Sequence, residues 1–199
     1  MKKSCHWQLF LFLSILVHKS SIIPPLRLVF LMWLSFSIQL YGQVDLGFLG
    51  TLPRTVSGLT GILTAPLIHG SFSHLVSNTF PVLFLGSAVY IFYDRIATQV
   101  FFHGYFLTNV LVWVIGRPYY HIGASGLVYA LASFLIFFGI FRRNFRSIII
   151  SSIVLIIYGG LIYGIYPQNT FISWESHLMG FIVGMGSAFG LSKIRKVYS

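Results

Sequence analysis

The sequence predicts an all-α membrane protein, a bundle of six transmembrane helices with both termini in the cytoplasm. Three observations predict it. Hydrophobic residues make up 56% of the 199 and charged residues 8%, against roughly 25% charged in soluble domains. Mean hydropathy is +0.85, and the apolar residues fall in successive runs suited to crossing ~30 Å of hydrocarbon. The third observation is where Lys and Arg fall between those runs.

Taken in order, Lys2, Lys3 and the apolar run Trp7–Val17 resemble the start of a signal peptide. No small-residue cleavage site follows, and the run is too short to span, so residues 1–21 read as a membrane-skimming lead-in. The first span is expected at Ile22–Tyr41, with Pro24 and Pro25 tolerated at its start. The connection Gly42–Ser73 carries Pro53, Arg54, Gly58, Gly61 and Pro66 among many apolar residues. Such a loop suits partial burial in the outer leaflet, packed on protein that satisfies its backbone. Further spans are expected at His74–Tyr93, Thr98–Ile115, Ser125–Phe141, Ile148–Tyr163 and His177–Leu191. Residues 22–192 thus form one six-helix domain, followed by a basic tail, 193–199.

The net charge of +10 would suggest nucleic acid in a soluble chain. Here it records topology, because basic residues gather in cytoplasmic loops, and no nucleic-acid partner is expected. With both termini inside, Lys2, Lys3, Lys19, Arg27, Arg95, Arg142, Arg143, Arg146, Lys193, Arg195 and Lys196 face the cytoplasm. Only Arg54 and Arg117 fall outside. That orientation starts the second, fourth and sixth helices on the outer side, bringing His74, Asn78, Ser125 and His177 to similar depth. Ser125 to Phe141 covers about 25 Å as a helix, which sets Ser125 several Å below the surface if the arginines mark the inner boundary.

A serine at that depth needs a base before it can act as a nucleophile. No carboxylate is placed to complete a triad: Asp94 is cytoplasmic, Asp45 lies in the first loop, and Glu175 sits about 200° around the helix from His177. The economical arrangement is a dyad in which Ser125 attacks and His177 moves the proton. His74 and Asn78, four apart on one helix face, can hydrogen-bond an oxyanion beside the backbone N–H of Ser125. Tyr129, four after Ser125, can stack on His177. Each feature alone has a plain structural reading: a packing serine, an interhelical polar clasp, a packing tyrosine. The small-residue faces Gly126-x-x-x-Ala130 and Gly180-x-x-x-Gly184 allow close helix approach, and they start beside the candidate serine and histidine.

The ordered set His69…His74-x-x-x-Asn78, Gly123-Ala124-Ser125-Gly126 with Tyr129, and His177-x-x-Gly180-x-x-x-Gly184 resembles the rhomboid intramembrane serine proteases. The resemblance covers about three quarters of the chain. It implies a six-helix fold with Ser125 as nucleophile, His177 as base, and His74 and Asn78 at the oxyanion hole. It implies single-span transmembrane proteins as substrates, cut near a helix-weakening site, with the fifth helix and the loop Pro167–Ser176 as gate and cap. In the first loop Gly58-Leu59-Thr60-Gly61 stands where some members carry a Trp-Arg pair. The compact form resembles a bacterial inner-membrane member.

No cofactor or metal is expected. The single cysteine, Cys5, excludes an intrachain disulfide, HExxH is absent, and a three-histidine site of His74, His121 and His177 is a remote alternative. The nearest rival is a rhomboid-like protein that binds membrane clients without cutting them. A transporter would need a polar path, and Gln99, His103 and Asn109 trace none. His69 and His121 read as surface or hydrogen-bonded loop histidines.

Overall fold

The computed structural model describes residues 3–167 and 173–194, with side chains from residue 22 onward. The lead-in side chains, residues 168–172 of the expected cap, and residues 195–199 of the basic tail lie outside the described residues.

Among the described residues, six long helices follow one another: α1 (Lys3–Gly42), α2 (Phe72–Phe92), α3 (Asp94–Ile115), α4 (Ser125–Arg142), α5 (Phe145–Tyr158) and α6 (Trp174–Leu191). Among the described residues, five stretches are long and apolar enough to cross a membrane: Ile22–Gly42, Phe72–Phe92, Asp94–Ile115, Ser125–Arg142 and Phe145–Ile165. The last joins α5 to a 3₁₀ segment, Gly159–Ile165. α6 is not among the five. Its first turn carries Glu175 and, just beyond, His177. Among the described residues there is no strand, only an isolated antiparallel bridge between Thr51 and His121.

Several boundaries move outward from their expected places, each for a local reason. α1 joins the lead-in and the first span in one helix, so Pro24 and Pro25 lie inside it rather than at its start. Pro25 serves packing there: a Cβ on Gly86 of α2 would come within 2.9 Å of the Pro25 Cβ. α2 begins before His74 because Ser71 caps it, its Oγ accepting from the His74 N–H at 3.1 Å, which satisfies an otherwise orphaned donor. α6 begins at Trp174, so His177 is the fourth residue of the helix. α3 contains a π turn, His103–Leu107, and His103 Nδ1 pairs with Ser187 Oγ of α6 at 3.0 Å.

α4 is the centre of the bundle. Leu131, Phe134, Leu135 and Phe138 are fully buried along it, and it packs on α2, α5 and most extensively on α6. Its seam with α6 is closed by glycine. A Cβ on Gly180 would sit 2.0 Å from the Gly126 carbonyl oxygen, and one on Gly184 2.1 Å from that of Ala130. Lipid tails are as apolar as leucine, so helices in a membrane associate by such close contact and by hydrogen bonds. Ser133 supplies one, donating to the Phe181 carbonyl at 3.0 Å.

The first loop is largely packed on protein. Thr51, Ala65, Ile68 and His69 are buried within it, and its turns hold the segment that leads into α4.

Candidate active site

The approach to Ser125 is held by the first loop. Thr51 and His121 exchange backbone hydrogen bonds at 2.9 Å, and Gly123 N–H donates to the Ala65 carbonyl at 2.8 Å. Gly123 then takes φ +100°, a conformation that disfavours any side chain, and it lies so close to His74 that a Cβ would fall 2.5 Å from Nε2. The chain emerges from that turn directly into α4. No side chain caps this helix, so the N–H groups of its first turn, Ser125 included, lack intrahelical partners.

Ser125 Oγ lies 3.0 Å from His177 Nε2. The other ring nitrogen, Nδ1, lies 2.9 Å from the Gly164 carbonyl oxygen. A carbonyl only accepts, so Nδ1 carries the proton and Nε2 presents a lone pair to the serine hydroxyl. Tyr129 stacks flat on the imidazole, with ring centroids 4.2 Å apart and planes 7° apart. The tautomer and the plane of His177 are therefore both fixed by neighbours. Gly164 is a residue that sequence reasoning missed. A backbone carbonyl carries no side-chain signature, and only the packing of Gly164 on Tyr129 Oη, where a Cβ would stand at 2.0 Å, explains the glycine.

His74, Asn78, Ser125, Tyr129 and His177 line one cavity of about 960 Å³, with Ser77, Tyr120 and Ser173 also on its wall. The structure thus gathers the predicted residues around a common space. Neither His74 nor Asn78 bonds to Ser125 among the described residues. Asn78 Nδ2 donates to the His74 carbonyl at 2.8 Å, and His74 packs edge-on against His69 at 4.9 Å. Gly126, Gly180 and Gly184 lie in the seam rather than in the cavity.

Both loop histidines are buried, His69 at 1% exposure and His121 at 2%, so neither is a surface residue. Burial holds the His69 imidazole down at about 4, an effect that neighbouring His74 reinforces. Burial lowers His121 as well, and both of its ring nitrogens are engaged, with Ser173 Oγ and the Arg117 carbonyl. Among the described residues no three of His, Cys, Asp and Glu gather closely enough to hold a metal ion. The Glu175 carboxylate is not a hydrogen-bond partner of the His177 ring. It is paired with Arg117.

The family described as Rhomboid domain matches residues 56–194, the stretch that carries every residue of this cavity. Uncharacterized proteins of Mycobacterium tuberculosis and Mycobacterium bovis are each 37% identical over 155 residues, covering 72% of this chain and 63% of theirs. One of Mycobacterium leprae is 36% identical over 147 residues, covering 67% of this chain and 57% of its own length. The chain thus spans less than two thirds of the length of these relatives.

Proposed function

The chain belongs to the rhomboid family and is an integral, multi-pass membrane protein; from that premise we propose that it is a serine endopeptidase working inside the bilayer. The observation that carries the reading is the Ser125–His177 pair, with Nε2 left free to accept because Nδ1 is committed to Gly164. His177 takes the Ser125 proton as Oγ attacks the scissile carbonyl, and the C–N bond breaks as the same proton passes to the leaving amine. Water, deprotonated by His177, then releases the acyl group from Ser125. The uncapped first turn of α4 offers the Ser125 N–H to the oxyanion, and His74 and Asn78 stand across the cavity as further donors.

We read α6 as a sixth crossing, despite its polar first turn, and both termini as cytoplasmic. The substrates would be single-span transmembrane proteins cut near the outer face, where the cavity gives a peptide bond and water room in the same place. The mycobacterial relatives favour a bacterial plasma membrane as the setting.

The test is cleavage of a tagged single-span substrate with helix-breaking residues, by purified protein in liposomes with a chelator present. Wild type should cut, while Ser125→Ala and His177→Ala should lose about 10³-fold or more, the scale seen when a nucleophile or base of a serine protease is removed. Equal product from wild type and Ser125→Ala would sink the nucleophile assignment. Stable capture of substrates without cutting, across several of them, would favour a client-binding role instead.

A further inference from the structure

Two cross-links join the loop leading into α4 to the start of α6, Ser173 and Glu175. In the first, Arg117 grips both oxygens of Glu175: Nε donates to Oε1 and Nη2 donates to Oε2 at 3.0 Å. Such two-pronged charged pairs are geometrically demanding as well as strong. The Glu175 side chain is only 5% exposed, and the guanidinium also lies over the rings of Tyr119 and Trp174, at 4.7 and 5.5 Å. In the second, His121 Nε2 donates to the Arg117 carbonyl at 3.1 Å, leaving Nδ1 to accept from Ser173 Oγ at 2.5 Å. Ser173 Oγ in turn lies 2.7 Å from Ser176 Oγ. The spacing gives these contacts their meaning. Arg117 and His121 stand eight and four residues before Ser125, while Ser173 and Glu175 stand four and two before His177.

We propose that this clasp is a positioning device, in which Arg117–Glu175 and His121–Ser173 set the register of His177 against Ser125. The inference rests on the protease reading above. The seam glycines let α4 and α6 approach, but a glycine has no side chain to stop one helix sliding or turning on the other. The clasp supplies that stop at the end of the seam where the dyad lies. A nucleophile–base hydrogen bond tolerates little displacement, and a misplacement of about 1 Å can cost about 100-fold in rate. Arg117, Glu175 and His121 do not line the cavity and reach the reaction only through His177 and Ser125, while Ser173 joins them from the cavity wall, so the clasp acts by positioning.

The test uses the full chain in liposomes as wild type, Glu175→Gln, Arg117→Gln, Arg117→Lys and the double variant Arg117→Gln/Glu175→Gln. Three quantities are read: the rate at which a fluorophosphonate labels Ser125, kcat and KM for a single-span substrate, and the ¹⁵N shifts of the His177 ring. Each Gln variant should slow labelling and lower kcat by about tenfold or more, with KM within about twofold. The His177 resonances should move, Arg117→Lys should recover part of the loss, and the double variant should lose no more than the worse single one. Losses that merely follow the fraction of folded protein, or single losses that multiply in the double variant, would overturn the clasp. A wild type that takes no label would defeat the protease reading, and the ring shifts would still decide the clasp. Shifts that move in Glu175→Gln retain the coupling from Glu175 to His177, and shifts that stay put end it.

Discussion

The two helices that hold the base side of the candidate dyad are built on opposite principles. α4, against which His177 is pressed, has 67% of its apolar window buried in the protein, whereas the window of α5 and its 3₁₀ extension has 17%. α4 meets α6 backbone to backbone through Gly126, Gly180 and Gly184. α5 presents Ile156 and Ile157 outward, at 83% and 66% exposure, and its 3₁₀ extension contributes to the site the Gly164 carbonyl and the side chain of Leu161. The candidate base is thus carried beside the more enclosed of these two helices, and its tautomer is set by the less enclosed one's extension. His177 lies against the enclosed seam, and the partner of its Nδ1 lies on a segment with little of its surface buried.

The strongest way to break this contrast is to spoil the seam. Gly180→Leu forces a side chain against the Gly126 carbonyl, where even a Cβ would stand at 2.0 Å. Relief requires the helices to separate. The expected result is loss of at least the roughly 1–3 kcal/mol typical of overpacking, seen as a lower melting temperature, together with loss of cleavage. Retained stability would show that the seam yields, contrary to the reading of α4 and α6 as rigid. A smaller and more selective effect is expected from Gly164→Ala. Its Cβ would meet Tyr129 Oη at 2.0 Å, the far end of a side chain, and the lightly buried 3₁₀ segment can move away. Melting should shift by no more than a few degrees, while kcat falls about tenfold as the carbonyl leaves Nδ1 or Tyr129 leaves the ring. Equal damage to stability and to turnover would erase the distinction between the two regions.

Most of this architecture was legible in the apolar runs, because a helix that crosses hydrocarbon must be both long and apolar. The expected cores of the six helices agree with those observed, and the errors lie at their ends. Those ends depend on single contacts, such as Ser71 under His74, that composition does not reveal. The meeting of Ser125 with His177 was legible because the small-residue faces lie next to both. The packing of the first loop on protein was legible too; what escaped were particular contacts made by backbone and by loop side chains. The Gly164 carbonyl has no sequence signal, and Arg117–Glu175 joins residues 58 apart. His69 and His121 are loop histidines as expected, and what sequence does not reveal is how deeply the loops that carry them are buried.

His69 supplies the finest test, since it lies beside α2 and away from the seam. Its Nδ1 faces the Leu67 carbonyl at 3.3 Å, and its Nε2 is buried with no hydrogen-bond partner among the described residues. Burial penalises the charged ring and neighbouring His74 adds to the penalty, which outweighs the Leu67 carbonyl and holds the imidazole at about 4 against an ordinary value of 6.5. A folded-state value below the unfolded one means that the unfolded chain binds more protons in this interval. The contribution of His69 is therefore complete above pH 6.5 and drains away as pH falls towards 4. Hydrogen exchange followed from pH 7 to pH 4.5 should show the first loop and the start of α2 loosening before residues 126–133 and 180–187 do. His69→Asn should flatten that response. If acid instead opens the seam first, or the variant responds like wild type, then the enclosed centre is not the last part of the fold to yield, and the division drawn between α4–α6 and the rest must be redrawn around α2.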